Sequence, residues 1–353
     1  MSDQNHLIIE HRGPIGLITL NRPEALNALS LGMIRGIREV LAQWRDQDDI
    51  RMIVFQGAGD RAFCAGGDVK KVYEAGVGMT DPAHKATLAK VYFAEEYRMN
   101  RDLHHYPKPL IAFMNGITMG GGFGVAGACA IRVASETTVF AMPEVGIGLF
   151  PDVGSMYTLT RCPRRTGYWL ALTGESIRAA DMLPMGIATH YIRTDRFAHC
   201  LEQMVELGDA SILDQFSNAP DPAEAKIFPH EMDIDEWFGG EDVETILQNL
   251  DRAGAPLAEH TARIMRTRSS TSVKLTLAYL LKMKGADFNT VTAMDYRLAI
   301  RCMLGDEFYE GIRAALIDKD RAPKWNPATL EEVKNDVIEN YFADDLPNLD
   351  QAL

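Results

Sequence analysis

The 353-residue sequence predicts an α/β fold that gives way, near residue 195, to a mainly helical C-terminal region. Three observations carry this reading. Strand-like and helical stretches alternate through about Thr194, glycine-rich turns separate them, and strand-like runs almost vanish from Phe197 onward. A chain this long exceeds what one hydrophobic core usually organises, so residues 1–195 are expected to form the main body and residues 196–353 a second, helical part.

Ile15 to Leu20 alternates and β-branches like a strand, and from Leu26 to Trp44 apolar residues recur at helical spacing. Met52 to Gln56 reads as the next strand. The loop Gly57 to Val69 follows, rich in glycine and closing on Asp68 before a short helix. Lys85 to His105 has the pattern of a long amphipathic helix carrying Glu95 and Glu96. Leu110 to Met114 is a buried strand leading into NGITMGGGFGVAGACAIRVA, whose second half, from Gly122, reads as a helix of small residues. Thr271 to Lys284 and Met294 to Met303 carry helical periodicity in the second part, where Pro220, Pro222, Gly239 and Gly240 punctuate the chain.

Composition narrows the function classes. A formal charge of −13 argues against the basic face that a phosphate backbone requires, so nucleic acid is not an expected partner. No stretch stays apolar for the roughly 18 residues a membrane span needs, and a membrane is not expected either. Met1 to Gly13 lacks the features of a secretory or organelle leader, which leads to an expected cytoplasmic location. Lys70 and Lys71 form a local basic pair that reads as a solvated face. Cys64, Cys129, Cys162, Cys200 and Cys302 lie far apart, with neither metal spacing nor a disulfide framework, as suits a reducing compartment.

Gly122, Gly124 and Gly127 satisfy GxGxxG, with Glu144 about twenty residues on. A dinucleotide fingerprint turns more tightly, and here Gly116 to Gly121 intervene after the strand, so nicotinamide binding is not favoured. Three consecutive glycines before a helix instead sacrifice backbone order for close approach. The helix start makes Gly121 a candidate amide donor to an oxyanion, and the AGGD loop offers a second amide at Gly67. Glu144 sits among Phe140, Met142, Val145, Ile147, Leu149 and Phe150, company that raises a carboxylate's pKa and suits it to act as base or nucleophile. Its plainer reading is a turn cap or an arginine partner. Asp152, in the same apolar setting, reads equally as a second acid or as the N-cap of a helix from Val153 to Thr160. Glu96 alone reads as a solvated helical acid. No GxSxG, HExxH or Cys/His cluster is present, which disfavours a serine triad and a metal centre.

NRPEALNAL (Asn21 to Leu29), AFCAGGD (Ala62 to Asp68) and NGITMGGG (Asn115 to Gly122) together resemble the crotonase (enoyl-CoA hydratase/isomerase) superfamily. EEY (Glu95 to Tyr97), FAMPEVGIGLFPDVG (Phe140 to Gly154), LTG (Leu172 to Gly174), GIATHYI (Gly186 to Ile192) and EGIRAALIDKDRAPKW (Glu310 to Trp325) resemble its 3-hydroxyisobutyryl-CoA hydrolase branch. The resemblance implies a crotonase-like spiral of ββα repeats followed by the helical region. It implies a thioester carbonyl held by the amides of Gly67 and Gly121, and coenzyme A bound along Ala65, Gly66, Gly67 and Asp68. Glu96, Gly121, Glu144 and Asp152 are then expected to contact the acyl portion, with Glu144 and Asp152 as the catalytic acids. Coenzyme A enters as part of the substrate, with neither a separate cofactor nor a metal expected, and trimers or dimers of trimers are the implied homo-oligomers. Hydratases of the superfamily carry a glutamate where this chain has Gly124, which disfavours hydration. The implied reaction is hydrolysis of (S)-3-hydroxyisobutyryl-CoA, a step of valine breakdown, with 3-hydroxypropionyl-CoA as a second substrate. An enoyl-CoA hydratase/isomerase and a non-catalytic acyl-CoA-binding protein are the alternatives.

Overall fold

Among the described residues nine strands make two sheets, and together they come from three separated stretches of chain. The computed structural model describes residues 6–79, 81–346 and 348–352. The reading of Met1 to Gly13 as a polar segment therefore lies partly outside the described residues. The chain divides into two units: residues 1–68, 98–141 and 176–229 form the first, and residues 69–97, 142–175 and 230–353 the second. The last strand ends at Tyr191 and helices dominate from Phe197, as the composition change near 195 indicates. The two units, however, are interleaved along the sequence and do not part at that point.

In the first unit the larger sheet runs β1 (Leu7–Arg12), β2 (Ile15–Leu20), β3 (Met52–Gly57), β5 (Leu110–Met114), β7 (Ile131–Ala134), β9 (His190–Tyr191). Only β1 and β2 pair antiparallel; the others are parallel, with Ile15 opposite Met52 and Ile53 opposite Leu110. All residues of β2 and β5 are buried, the continuous apolar pattern of strands covered on both faces. The smaller sheet, β4 (Ala62–Cys64), β6 (Ile117–Met119) and β8 (Val139–Ala141), is parallel throughout. Each pair β3/β4, β5/β6 and β7/β8 gives one strand to each sheet, which is the repeating unit of the spiral. One face of the larger sheet packs Ile15, Leu17, Met52, Val54, Ile111 and Phe113 with Cys200, Leu201 and Met204 of the helix Phe197–Leu207.

Several elements depart from the pattern reading. The first helix spans Leu31–Trp44, because Ser30 caps it by accepting from the Met33 N–H at 3.2 Å, while Leu26 and Asn27 adopt positive φ and break any earlier start. The long helix is Pro82–His104, and the glycine-run helix is only Gly121–Ala126. β4 and β6 fall inside segments read as loop or turn, since three residues are too few to show a period.

The second unit is mostly helical. Thr166–Thr173 is buried all round, and its Trp169 donates to the Thr261 hydroxyl at 3.0 Å. Ser269 caps the helix Ser270–Met283 and Asp287 caps Phe288–Leu304. No described helix is long and apolar enough to cross a membrane.

Candidate active site

The sequence candidates fall into two chemically distinct groups, each inside one unit: a set of backbone amides and a cluster of buried acids.

The amide group is mounted by NRPEALNAL. Asn27, with φ 58°, turns its side-chain amide to donate to the carbonyls of Ala58 (3.0 Å) and Ala62 (2.7 Å) and accepts from the Arg22 N–H at 2.9 Å. Arg22 in turn pairs with Asp68 at 3.0 Å and donates to the Ala28 carbonyl. The AGGD loop is laced to the same segment by bonds from Ala65 N–H to Leu26, Leu29 N–H to Gly66 and Asp68 N–H to Leu29. These bonds use the Gly66 carbonyl and the Asp68 N–H on either side of Gly67. The N–H groups of Gly67 and Gly121 donate to no carbonyl among the described residues. The two glycine segments are neighbours, since a Cβ built on Gly66 would lie 3.9 Å from the Gly121 nitrogen. Close approach governs Gly122 as well: a Cβ there would meet the Cys64 carbonyl oxygen at 2.1 Å, so only glycine lets the helix start lie against β4. Asp68 is engaged with Arg22, and Ala65 through its amide, so this loop acts as a braced backbone. Lys70 is exposed and pairs with Glu74 at 3.7 Å, the solvated face expected of it.

The acid group holds Glu96, Glu144 and Asp152, all buried to 5 % exposure or less. Glu96 corrects the expectation of a solvated helical acid: it lies on the buried side of Pro82–His104, whereas Glu95 is half-buried. Glu144 opens a single 3₁₀ turn, Glu144–Gly146, and pairs with no arginine among the described residues. Asp152 is not the helix cap. The helix starts at Ser155, Gly154 occupies the cap position, and the Asp152 carboxylate accepts instead from the Tyr97 hydroxyl at 2.6 Å. Val153 between them holds φ 54°, which for a β-branched residue costs about 1–3 kcal/mol and is found where surroundings impose it.

Burial dominates the electrostatics. It pushes the Glu96 carboxyl well above the usual carboxylate range, and the nearby charges of Asp152 and Asp295 push it further. Glu144 is raised likewise by burial and then by Asp152, with its own backbone amide opposing and Glu96 and Asp295 adding to the rise. Asp152 is pushed up only to about 6, because the Tyr97 hydroxyl and a backbone amide stabilise its ionised form. One oxygen each of Glu96 and Glu144 is buried with no hydrogen-bond partner among the described residues. An unmatched buried carboxyl oxygen is costly, most of all when the group is ionised. Burial thus favours the protonated form of Glu96 and Glu144 beside an Asp152 raised only to about 6, an arrangement able to accept and pass protons.

The pattern reading missed three members. Tyr97 follows Glu96 directly. Asp295 is fully buried in Phe288–Leu304, and Tyr279 donates to it at 2.7 Å. A signal for Asp295 existed, since it occupies the same helical stripe as Phe288, Val291, Leu298 and Cys302, an acid at an apolar position.

A family described as enoyl-CoA hydratase/isomerase matches residues 15–342. Proteins named "3-hydroxyisobutyryl-CoA hydrolase, mitochondrial" from Rattus norvegicus and Xenopus tropicalis are 42% and 41% identical to this chain, each match covering 95% of it and 88% of the relative. Among solved structures, one titled as a carnitinyl-CoA dehydratase from Mycobacterium thermoresistibile aligns with a TM-score of 0.91 and 36% identity over 98% of both chains.

Proposed function

The chain belongs to the enoyl-CoA hydratase/isomerase family, and from that premise we propose that it hydrolyses the thioester of (S)-3-hydroxyisobutyryl-CoA, and of 3-hydroxypropionyl-CoA, to the free hydroxy acid and coenzyme A. The substrate comes from the shared name of relatives that match nearly the whole chain. The observation that carries the chemistry is Glu144, an acid buried to 5 % exposure with an unpartnered oxygen and a raised pKa.

In this proposal the amides of Gly67 and Gly121 hydrogen-bond the thioester oxygen as it becomes an oxyanion, a donor pair whose members are typically worth about 100- to 1,000-fold each in rate. Glu144, once ionised, either takes a proton from the attacking water or attacks the carbonyl carbon itself to give an anhydride that water then opens. The carbon–sulfur bond breaks as the tetrahedral intermediate collapses, and Asp152 handles the proton at water or at the departing thiolate. Glu96 accepts a hydrogen bond from the 3-hydroxyl. Ala65, Gly66, Gly67 and Asp68 form the backbone along which coenzyme A lies. Coenzyme A is part of the substrate, and the proposal invokes no separate cofactor. It places the reaction in valine breakdown, in the cytoplasm, and in a trimer or dimer of trimers, which fractionation and sedimentation test; the named relatives are mitochondrial.

The dehydratase title of a structural relative favours a second reading, addition or removal of water across a carbon–carbon double bond. Position 124 weighs against it, because the hydratases this chain resembles place a second acid there and this chain has glycine. A thiol-release assay across a panel of acyl-CoAs separates the two. Free thiol from 3-hydroxyisobutyryl-CoA supports hydrolysis; loss of enoyl absorbance on crotonyl-CoA without thiol supports hydration; tight binding with neither over hours supports a non-catalytic binder.

A further inference from the structure

Asp295 is a fully buried acid in the middle of Phe288–Leu304, and its two oxygens serve different partners. Oδ2 accepts from the Gly154 N–H at 2.7 Å, and Oδ1 accepts from the Tyr279 hydroxyl at 2.7 Å. Gly154 lies two residues after Asp152, at the far side of a corner in which Val153 and Gly154 both hold positive φ, 54° and 76°. The ring of Phe288, at the start of the same helix, closes the other side: a Cβ on Gly154 would fall 2.4 Å from it. A strained corner of this kind persists only where its surroundings fix it.

We propose that Asp295 is a positioning residue for the hydrolytic reaction, holding the corner that presents Asp152 through its hydrogen bond to the Gly154 amide. The role rests on the function proposed above. It explains why an acid occupies an apolar helical stripe, where a leucine would pack at no desolvation cost. It has an electrostatic consequence too. The titratable groups around it are Glu96, Tyr97, Glu144, Asp152 and Tyr279, and its charge contributes to the rise of both glutamates. Removing that charge eases ionisation of Glu144.

Two substitutions separate position from packing. Asp295→Asn keeps an acceptor for the Gly154 amide and loses the charge. It should retain kcat within about 10-fold, while the acidic limb of the pH–kcat profile moves to lower pH by about half a unit or more. Asp295→Ala loses the acceptor and should lower kcat by about 100-fold with KM changed less than about 3-fold. In the resting protein, hydrogen exchange at the Gly154 amide should accelerate at least about 10-fold in Asp295→Ala and stay near wild type in Asp295→Asn. Equal kcat in the two variants with an unmoved limb overturns the proposal. So does Gly154 exchange that is insensitive to the alanine. If Asp295→Ala does not fold, the limb of Asp295→Asn decides alone. If wild type releases no thiol, the hydrolase reading has failed, and Gly154 exchange still tests whether Asp295 holds the corner.

Discussion

Replacing Asp152 by asparagine should make the protein more stable at neutral pH while disabling it. The carboxyl is raised from 3.8 to about 6, chiefly by burial. At about 1.4 kcal/mol per pH unit this gap corresponds to about 3 kcal/mol. The sign follows from which state keeps the proton. Below the unfolded value both states are protonated and burial of the acid is free of charge cost. As pH rises towards 6 the unfolded chain ionises first, and the folded state loses stability until its own carboxyl ionises. Asparagine never ionises, and its carbonyl still accepts from the Tyr97 hydroxyl. The stability difference should therefore grow in favour of Asp152→Asn by about 2 kcal/mol between pH 4.5 and 7.5, the part of the linkage that window covers. With about 2.1 cal/mol/K of unfolding entropy per residue over 353 residues, calorimetry would read this as roughly 3 °C in Tm. Turnover should fall by about 100-fold or more, the usual worth of a positioned acid–base group. A difference that is flat in pH, or a variant that loses ground as pH rises, would refute the claim that this acid is held against its own solvation.

Glu144→Gln should bind acyl-CoA with a Kd within a few-fold of wild type yet lose at least about 100-fold in kcat, as calorimetric titration and thiol release together would show; near-normal turnover removes Glu144 from its role. Single turnover in heavy-oxygen water should place label in the Glu144 carboxylate if an anhydride forms and water opens it at the glutamyl carbonyl, a result that mass spectrometry of the digested protein detects. Gly122→Ala drives a methyl into the Cys64 carbonyl oxygen and should cost at least about 1–3 kcal/mol, with a lowered Tm and slower turnover through displacement of Gly121; an unperturbed variant would show that the helix start yields freely. Since Glu144 acts when ionised and its pKa is raised, activity should climb with pH well past the ordinary carboxylate range, and a profile already flat at pH 4.5 would contradict that.

Much of this was legible in the chain itself. Glu144 stood out because apolar neighbours in sequence foretold its burial, and the glycines at 120–122 because backbone order is not surrendered without a close approach to show for it. β2 was readable from alternation and β-branching, although it proves buried on both faces, and β3 and β5 were also readable as strands. β4, β6 and β8 lack a period to read, being three residues each. The burial of Glu96 was hidden because Glu95 and Glu96 are adjacent on one helix and only tertiary packing decides which faces inward. Asp152 as a helix cap was sound local reasoning, overridden by Tyr97, a partner 55 residues away. Asp295 shows the limit best: its place in an apolar stripe was visible, while its partner Gly154 is 141 residues distant.

The interleaving of the two units sets an order of assembly on the ribosome. The first unit has all its segments once Pro229 is made, so both sheets can close while the remaining residues are still to come. The corner at Asp152 has no such early completion, because Asp295 and Phe288 belong to the last segment of the second unit. At about 5–20 residues per second, that corner waits for its holder for roughly 7–30 s during synthesis. A nascent chain thus acquires its backbone amides well before its acids are fixed in place. Shortening the protein at residue 195 would remove the holder and, with it, parts of both units.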